Sequence, residues 1–490
     1  MPTDSNPARP ISRRQLGRAS AILGITAALP ARAAAQQRFV LESVAEQAAD
    51  RAATISTDKK LSLLLPTGSE DNLRPVVAAF EARSGIKVSQ QYTPVDDIST
   101  FLLLTRSGSG DTFDLALPPT FAIADLAEAG ALEPLNDFAE RYEPVDYRDD
   151  MLYRSGEQVD GHFYGYQTDG DVYLGFINEG LLRLGERHKA FADQHGRPPE
   201  QINHWADLDQ LMAFYQRPSE GYYGGSLFRT PAYGLWEFWL RMHAAGVAPF
   251  DADMQPQLTA EPAVTALAAM VSATNSQEPT ASVNSLFENW NSFKQGNKLI
   301  NIGWGGSQKA FHQPESPIRK TVRAFLPPGD QTAPEGLPYF NWGWNFAVPS
   351  GSTRAEVGYL FSLFACSPTI STIAVQQPNG YFDPYRKIHY ADSEIQGTYS
   401  NAFLQTHSEA IDHCLPDCYI GGQADYFSIL ARYVSLAVRG KLTPQVALRT
   451  ADRQWQEITA RRGRQRQIRS WQSVWNDYPE SVKQAIQVFG

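Results

Sequence analysis

Residues Leu61 to Leu65 form a short apolar run interrupted only by Ser62, the pattern of a buried strand. Leu73, Val76, Val77 and Phe80 then recur at i, i+3, i+4 and i+7, which predicts a helix with one buried stripe, ending near Ser84 and Gly85. Ile86-Lys87-Val88 opens another extended segment. Strand, helix and strand within about 30 residues make a βαβ unit, and that connection requires a parallel sheet. The alternation continues with a helix from about Asp97 to Leu104, a strand at Phe113 to Ala116 and a helix around Phe121 to Ala129. This part of the chain is expected to be a doubly wound α/β lobe.

The second half repeats the grammar with longer helices. One is expected to open near Thr259, with Pro262 in its first turn and Val264, Leu267, Ala268 and Val271 facing inward. Another is expected from Thr353, where Glu356 completes a capping box, and would bury Val357, Leu360, Phe361 and Phe364. A third begins at Thr443-Pro444 and carries Leu448, Ala451, Trp455 and Ile458 on one stripe. Asn341 to Val348 reads as a strand, whose alternation puts Trp342, Trp344, Phe346 and Val348 on one face. Phe346 and Val348 lead toward the helix and belong to the core.

Composition narrows the class. The chain has 490 residues, 42% hydrophobic and 20% charged, which excludes collagen, coiled coil, wholesale disorder and a polytopic membrane protein. A net charge of -10 argues against a nucleic-acid partner. The one basic cluster, Arg461, Arg462, Arg464, Arg466 and Arg469, has no aromatic residue interleaved and reads as a solvated helix end. With 10 Trp, 21 Tyr and 25 Phe the chain holds more rings than core filling usually needs, which points to stacking surfaces.

The N-terminus reads as an address. Ser12-Arg13-Arg14-Gln15-Leu16 precedes an apolar run from Ala19 to about Leu29, followed by Ala31-Arg32-Ala33-Ala34-Ala35, where a signal peptidase would accept small residues. Residues 1–35 resemble a twin-arginine export signal, which places the mature protein in the periplasm, and residues 36–59 read as a polar linker or a short helix. Cys366, Cys414 and Cys418 are the only cysteines. In an oxidising compartment Cys414 and Cys418 are a candidate disulfide, with His407, Asp412 and His413 nearby as a metal alternative and free thiols as a third.

No signature of catalysis is present: no G-x-S-x-G, H-E-x-x-H, Walker or dinucleotide-binding motif. Asp169 and Asp171 could in principle serve glycoside hydrolysis, but residues two apart on an extended segment point the same way, whereas a glycosidase needs its carboxyls across the scissile bond. No catalytic residue, cofactor or metal is expected.

Several phrases together carry a family resemblance. "LSLLLPTGSEDNLRPVVAAFEARSGIKV" from Leu61, "DLAEAGALEPLNDF" from Asp125, "GHFYGYQTDGDVYLGFINEGLL" from Gly161, "FDADMQPQLTAEPAVTALAAM" from Phe250 and "NKLINIGWGG" from Asn297 occur in order. "WGWNFAVPSGSTRAEVGYLFSLFACSP" from Trp342, "GYFDPYRKIHY" from Gly380 and "GKLTPQVALRTADRQWQEIT" from Gly440 complete the series. The chain resembles the family 1 extracellular solute-binding proteins, periplasmic receptors of carbohydrate ABC transporters, over nearly all of Leu61 to Ile468. Those receptors commonly use the general secretory route, so a twin-arginine signal hints at folding before export.

The resemblance implies a two-lobed periplasmic binding protein fold (type II), each lobe a sheet flanked by helices, with a cleft between them that closes on the ligand. Lobe one would be residues 60–168 plus 341–385, and lobe two residues 169–340 plus 386–490. Loops after strands should face the cleft, which nominates Ser69, Glu70 and Thr120. The resemblance adds Asp169 and Asp171 for sugar hydroxyls and Trp304 as a platform for a sugar ring. Next to the crossover that the resemblance implies, Trp344, with Trp342 nearer the mouth, should line the cleft, and Tyr381 and Arg386, at a later crossover, could close it. The implied partners are a small carbohydrate or polyol and an inner-membrane ABC permease, with the receptor a monomer. Alternatives are the same fold holding another solute, such as an organic acid, polyamine or metal chelate, or a secreted glycoside-processing enzyme.

Overall fold

In the computed structural model, residues 38–106 and 112–489 are described. The segment read as an export signal, residues 1–35, lies outside the described residues. The run at Leu61 becomes a strand, Lys60–Pro66, and the segment after Ile86 a second, Lys87–Thr93, joined by the helix Glu70–Ser84. The two strands pair in parallel, as a βαβ unit requires. That helix buries Leu73, Val76, Val77 and Phe80, and stops at Gly85, whose φ of 69° is the left-handed conformation that glycine adopts without strain.

Two five-stranded sheets organise the molecule. The first runs in the order Lys87–Thr93, Lys60–Pro66, Leu115–Ala116, Asn345–Ala347, Gly165–Gln167. Its fourth strand comes from far along the chain and lies antiparallel to both neighbours. The second is built on Val172–Asn178, which pairs with Lys298–Trp304, Val322–Phe325 and Tyr339–Phe340, and Tyr223–Gly225 adds to its edge in parallel with Lys298–Trp304. The chain therefore passes between sheets at 168–171 and again at 341–344. These crossovers touch: the Thr168 N–H donates to the Trp344 carbonyl at 2.8 Å, and the Asn341 N–H to the Asp171 carbonyl at 3.2 Å. A third segment, 381–386, joins them, with the Asp383 N–H donating to Asp169 Oδ1 at 2.7 Å. Gly170 sits at this junction because a Cβ there would fall 2.0 Å from the Pro384 carbonyl oxygen.

Of the two readings open for residues 36–59 the helix is found, and three other local expectations need correction. Residues 44–55, within the segment read as linker or short helix, form a helix that buries Val44, Ala45, Ala48, Ala49 and Ala52 and packs on the helix Ala355–Ala365. That second helix buries Val357, Leu360, Phe361 and Phe364, but it starts at Ala355 without a capping box. Glu356 is instead claimed by tertiary partners, the Tyr142 hydroxyl and, at 3.2 Å, Arg141. The helix near Thr259 runs Glu261–Ala273 and is rotated from the expected stripe, burying Ala263, Ala266, Leu267, Met270 and Ala273 while Ala268 is exposed. The strand at 341–348 is confined to Asn345–Ala347, because Trp342 and Gly343 have φ of 86° and 59° and break the alternation. The helix Pro444–Arg462 keeps its expected stripe, and Thr443 caps it by accepting the Val446 N–H.

Candidate functional site

Where the crossovers meet, the two sheets enclose a small cavity walled by rings. Trp304 is the last residue of the strand Lys298–Trp304, so it stands at a carboxyl end, where ligands of α/β sheets bind. Its indole N–H donates to the Asn341 carbonyl at 2.9 Å, which pins the ring to the second crossover. Trp342, Trp344 and Asp171 come from the crossovers themselves, Tyr381 from the third segment and Val95 from the loop after Lys87–Thr93. The second-sheet side adds Gly306, Tyr233 just before the helix Leu235–Ala244, and Leu286 and Trp290 from the helix Leu286–Lys294.

Of the residues nominated from sequence, Asp171, Trp304, Trp342, Trp344 and Tyr381 line this one cavity. Trp344 is 2% exposed and Trp342 9%. A bulky residue at positive φ is a genuine backbone outlier, and such strain persists where the surroundings over-determine it. The turn at Trp342 and Gly343 brings both indoles to the same space without strand alternation.

The other nominees do not line it. Ser69 donates to the Pro66 carbonyl at 2.7 Å, and Glu70 accepts the Gly68 N–H at 2.6 Å, so each is spent on its own loop. Thr120 donates to Gln167 Oε1 at 2.9 Å and accepts from Asn345 Nδ2 at 2.7 Å, deep in the first sheet. Arg386 is a buried peg, bonded to the Tyr147 and Cys366 carbonyls and paired with Asp150. Asp169 stands behind the wall. Cys414 and Cys418 are unbridged and buried: the Cys414 thiol donates to the Ile411 carbonyl at 3.5 Å, and Leu415 between them is drawn into backbone pairing with Pro338 and Phe340. Nor do they gather a metal set, since His407 bonds the Gly170 carbonyl and Tyr390.

Sequence reasoning missed Tyr233, Leu286 and Trp290. Leu286 and Trp290 are spaced four apart on a helix, which in a sequence reads as ordinary core, and Tyr233 sits in a loop with no periodic signal. It also missed Asp383, which the fold sets beside Asp169 and Asp171, with carboxylate oxygens of all three within 4.8 Å of one another.

The electrostatics of this trio are unusual. Burial, then the charges of Asp171 and Asp383, push the Asp169 carboxyl well above its usual range. Burial and the Asp383 charge do the same to Asp171, opposed by the Gly343 N–H. Burial lifts Asp383 to about 7, against the opposing Tyr399 hydroxyl and Lys309. Lys309 is pushed down to about 8 by burial, partly offset by Asp383 and Asp169. Asp169 Oδ2 has no hydrogen-bond partner, nor do the indole N–H groups of Trp290 and Trp342 on the cavity wall.

The space between the rings is about 30 Å³, room for a few waters, so a sugar-sized molecule enters only when the walls part. Gly68, from the first-sheet side, has φ of 98°, and a Cβ there would meet Tyr381 at 2.9 Å and Phe287, on the second-sheet side, at 3.2 Å. The two sides close on each other at this glycine.

The sequence profile of the bacterial extracellular solute-binding proteins matches residues 67–368. No curated protein matches the chain. Among solved structures, the maltose-bound MalE3 of T. maritima aligns with a TM-score of 0.69 at 17% identity, covering 81% of this chain and 99% of its own. An ABC transporter solute-binding protein of Agrobacterium radiobacter in complex with ribitol gives 0.70 at 17% identity, covering 81% and 98%. One from Agrobacterium vitis with bound D-mannitol gives 0.66 at 19% identity, covering 82% and 99%. The chain has the two-lobed α/β fold of these proteins.

Proposed function

Because the chain belongs to the bacterial extracellular solute-binding proteins, we propose that it captures a small sugar or polyol between its lobes and hands it, chemically unchanged, to an inner-membrane ABC permease. The observation that carries this reading is the wall of the cavity: six aromatic rings, two unpartnered indole N–H donors and the Asp171 carboxyl at the junction of the lobes. A pyranose or polyol presents C–H faces to rings and hydroxyls to donors and acceptors, so it uses both kinds of group. The solved relatives named above hold maltose, ribitol and mannitol, which supports the same ligand class here.

The receptor works in the periplasm as a monomer, delivered by the signal around Arg13 and Arg14. Replacing both with Lys should strand precursor in the cytoplasm. A thermal-shift screen of sugars and polyols on the mature protein tests the binding. A ligand at 100 times its Kd should add about 2.7 kcal/mol of stability, and NMR of the released ligand should show it intact. No shift across the panel, or a hydrolysed product, overturns the reading.

A further inference from the structure

We propose that the molecule taken by this cleft carries a positive charge: a small hydroxylated ammonium, either an amino sugar or amino polyol or a simpler alkanolamine, whose ammonium group sits within the rings against Asp171. This deepens the reading of the cleft as a small-molecule receptor and rests on it.

The first argument is what lines the cavity. Tyr233, Trp290, Trp304, Trp342, Trp344 and Tyr381 supply rings, Asp171 the one carboxyl, and no Lys, Arg or His takes part. Ring faces are electron-rich, and a cage of several is the arrangement that attracts a desolvated ammonium. The rings form corners: Trp304 stands at 88° to Trp342 and at 83° to Tyr233, each with centroids 6.0 Å apart. Trp344 then links Trp342 to Tyr381, with centroids 6.1 and 6.2 Å away. Elsewhere the protein does place its own cations over rings, as with Arg241 over Trp205 and Lys309 over Tyr399, but among the described residues none lies over these six.

The second argument is the charge behind the wall. Asp169, Asp171 and Asp383 are buried together and face one cation, Lys309, whose ammonium is anchored to the Val375 and Gln377 carbonyls at 2.9 and 3.0 Å. Asp169 Oδ2 remains without a partner. A neutral polyol supplies hydrogen bonds but no charge, and would leave the trio as it found it. An ammonium supplies the missing charge, while the ligand's hydroxyl oxygens can accept from the indole N–H groups of Trp290 and Trp342.

A proton linkage follows. The groups facing the trio are Lys309, the hydroxyls of Tyr381, Tyr390 and Tyr399, and His407, which bonds the Gly170 carbonyl. Burial keeps the free trio partly protonated near neutral pH, whereas a bound cation favours its ionised form. Binding should therefore expel a proton, and affinity should rise with pH until the free carboxyls are ionised.

Calorimetry on the mature protein tests this with matched pairs: glucosamine against glucose, 1-amino-1-deoxysorbitol against sorbitol, and choline against its neutral carbon isostere 3,3-dimethylbutanol. At least one ammonium should bind about a hundredfold tighter than its neutral partner, and which pair responds identifies the source. That preference should fall to less than about tenfold in Asp171→Asn, whose melting curve checks that it folds. In the unaltered protein the binding enthalpy should change with the buffer's ionisation enthalpy, reporting a released proton. Equal or tighter binding by the neutral members overturns the charge assignment and leaves the sugar receptor standing. Failure of every ammonium overturns it too, and if the neutral sugars also fail the receptor reading falls with it. Stabilisation by calcium without any ammonium preference overturns it as well, marking the trio as a metal site.

Discussion

Two of the places where the molecule buries carboxylates treat them differently. In the second lobe Glu237 lies between Arg229, 2.5 Å away, and Arg241, 2.9 Å away, and Arg241 also grips Asp209 at 2.6 and 2.8 Å. Burial works against Glu237, but the two guanidiniums outweigh it and hold its carboxyl below the usual range. Two cations meet two anions, and the network is closed. At the crossovers, equally buried, Asp169, Asp171 and Asp383 face one lysine, and their carboxyls are pushed up instead. A folding protein gains nothing by leaving buried charge unbalanced. Protons rather than guanidiniums balance that set in the free protein, and the proposed cation would take their place.

The largest effect should come from breaking the closed network. Glu237→Ala strips Arg229 of its buried carboxylate and leaves Arg241 only Asp209, and should lower folding stability by about 3 to 5 kcal/mol in denaturant titration, with ligand affinity unchanged in whatever folds. Next, Trp344→Ala should lose about 2 kcal/mol or more of binding, as interface anchors do. It should lose less than the about 3 to 5 kcal/mol of apo stability typical of a core Trp, because one side of the ring already borders the cavity. A loss confined to stability would move Trp344 to the core.

A smaller effect lies in pH. Asp383 has its folded pKa raised from 3.8 to about 7, so between those values the folded state holds a proton that the unfolded state has lost. Its contribution to stability should then decline as pH rises through that window, by up to about 1.4 kcal/mol per pH unit, and level off above it. Asp383→Asn should flatten that part of the melting-temperature profile, and the Glu237 network should add no such slope. Smallest of all, Arg461→Ala removes an exposed pair with Asp425 at 3.2 Å and should shift stability by no more than about 0.5 kcal/mol. A larger loss there would mean that exposed pairs in this chain matter as much as buried ones.

Much of the fold was legible along the chain, because a buried stripe imposes a local period: Leu73 to Phe80 and Leu448 to Ile458 are helices for reasons that a short window contains. Boundaries were less so. Thr353 and Glu356 spell a capping box, yet Glu356 is taken by Tyr142 and Arg141, more than 200 positions away in sequence. The face of Glu261–Ala273 was misread because its small residues fit against a neighbour that no window shows.

The site divides along the same line. Family resemblance and the tryptophan-rich crossover sufficed to nominate Asp171, Trp304, Trp342, Trp344 and Tyr381, since each lies within one of the phrases that together carry the resemblance. Ser69, Glu70, Thr120 and Arg386 met the same local criteria but do not line the cavity: Ser69 and Glu70 bond within their own loop, and folding brings Gln167 to Thr120 and the Tyr147 carbonyl to Arg386. Tertiary structure alone put Tyr233 and Trp290 on the wall, set Asp383 against Asp169 across 214 positions, and forced Trp342 into a left-handed turn. Secondary structure follows from side-chain period and backbone sterics, which act over a few residues. A binding site follows from which chain crossings coincide, and that is decided only when the crossovers between the two sheets meet.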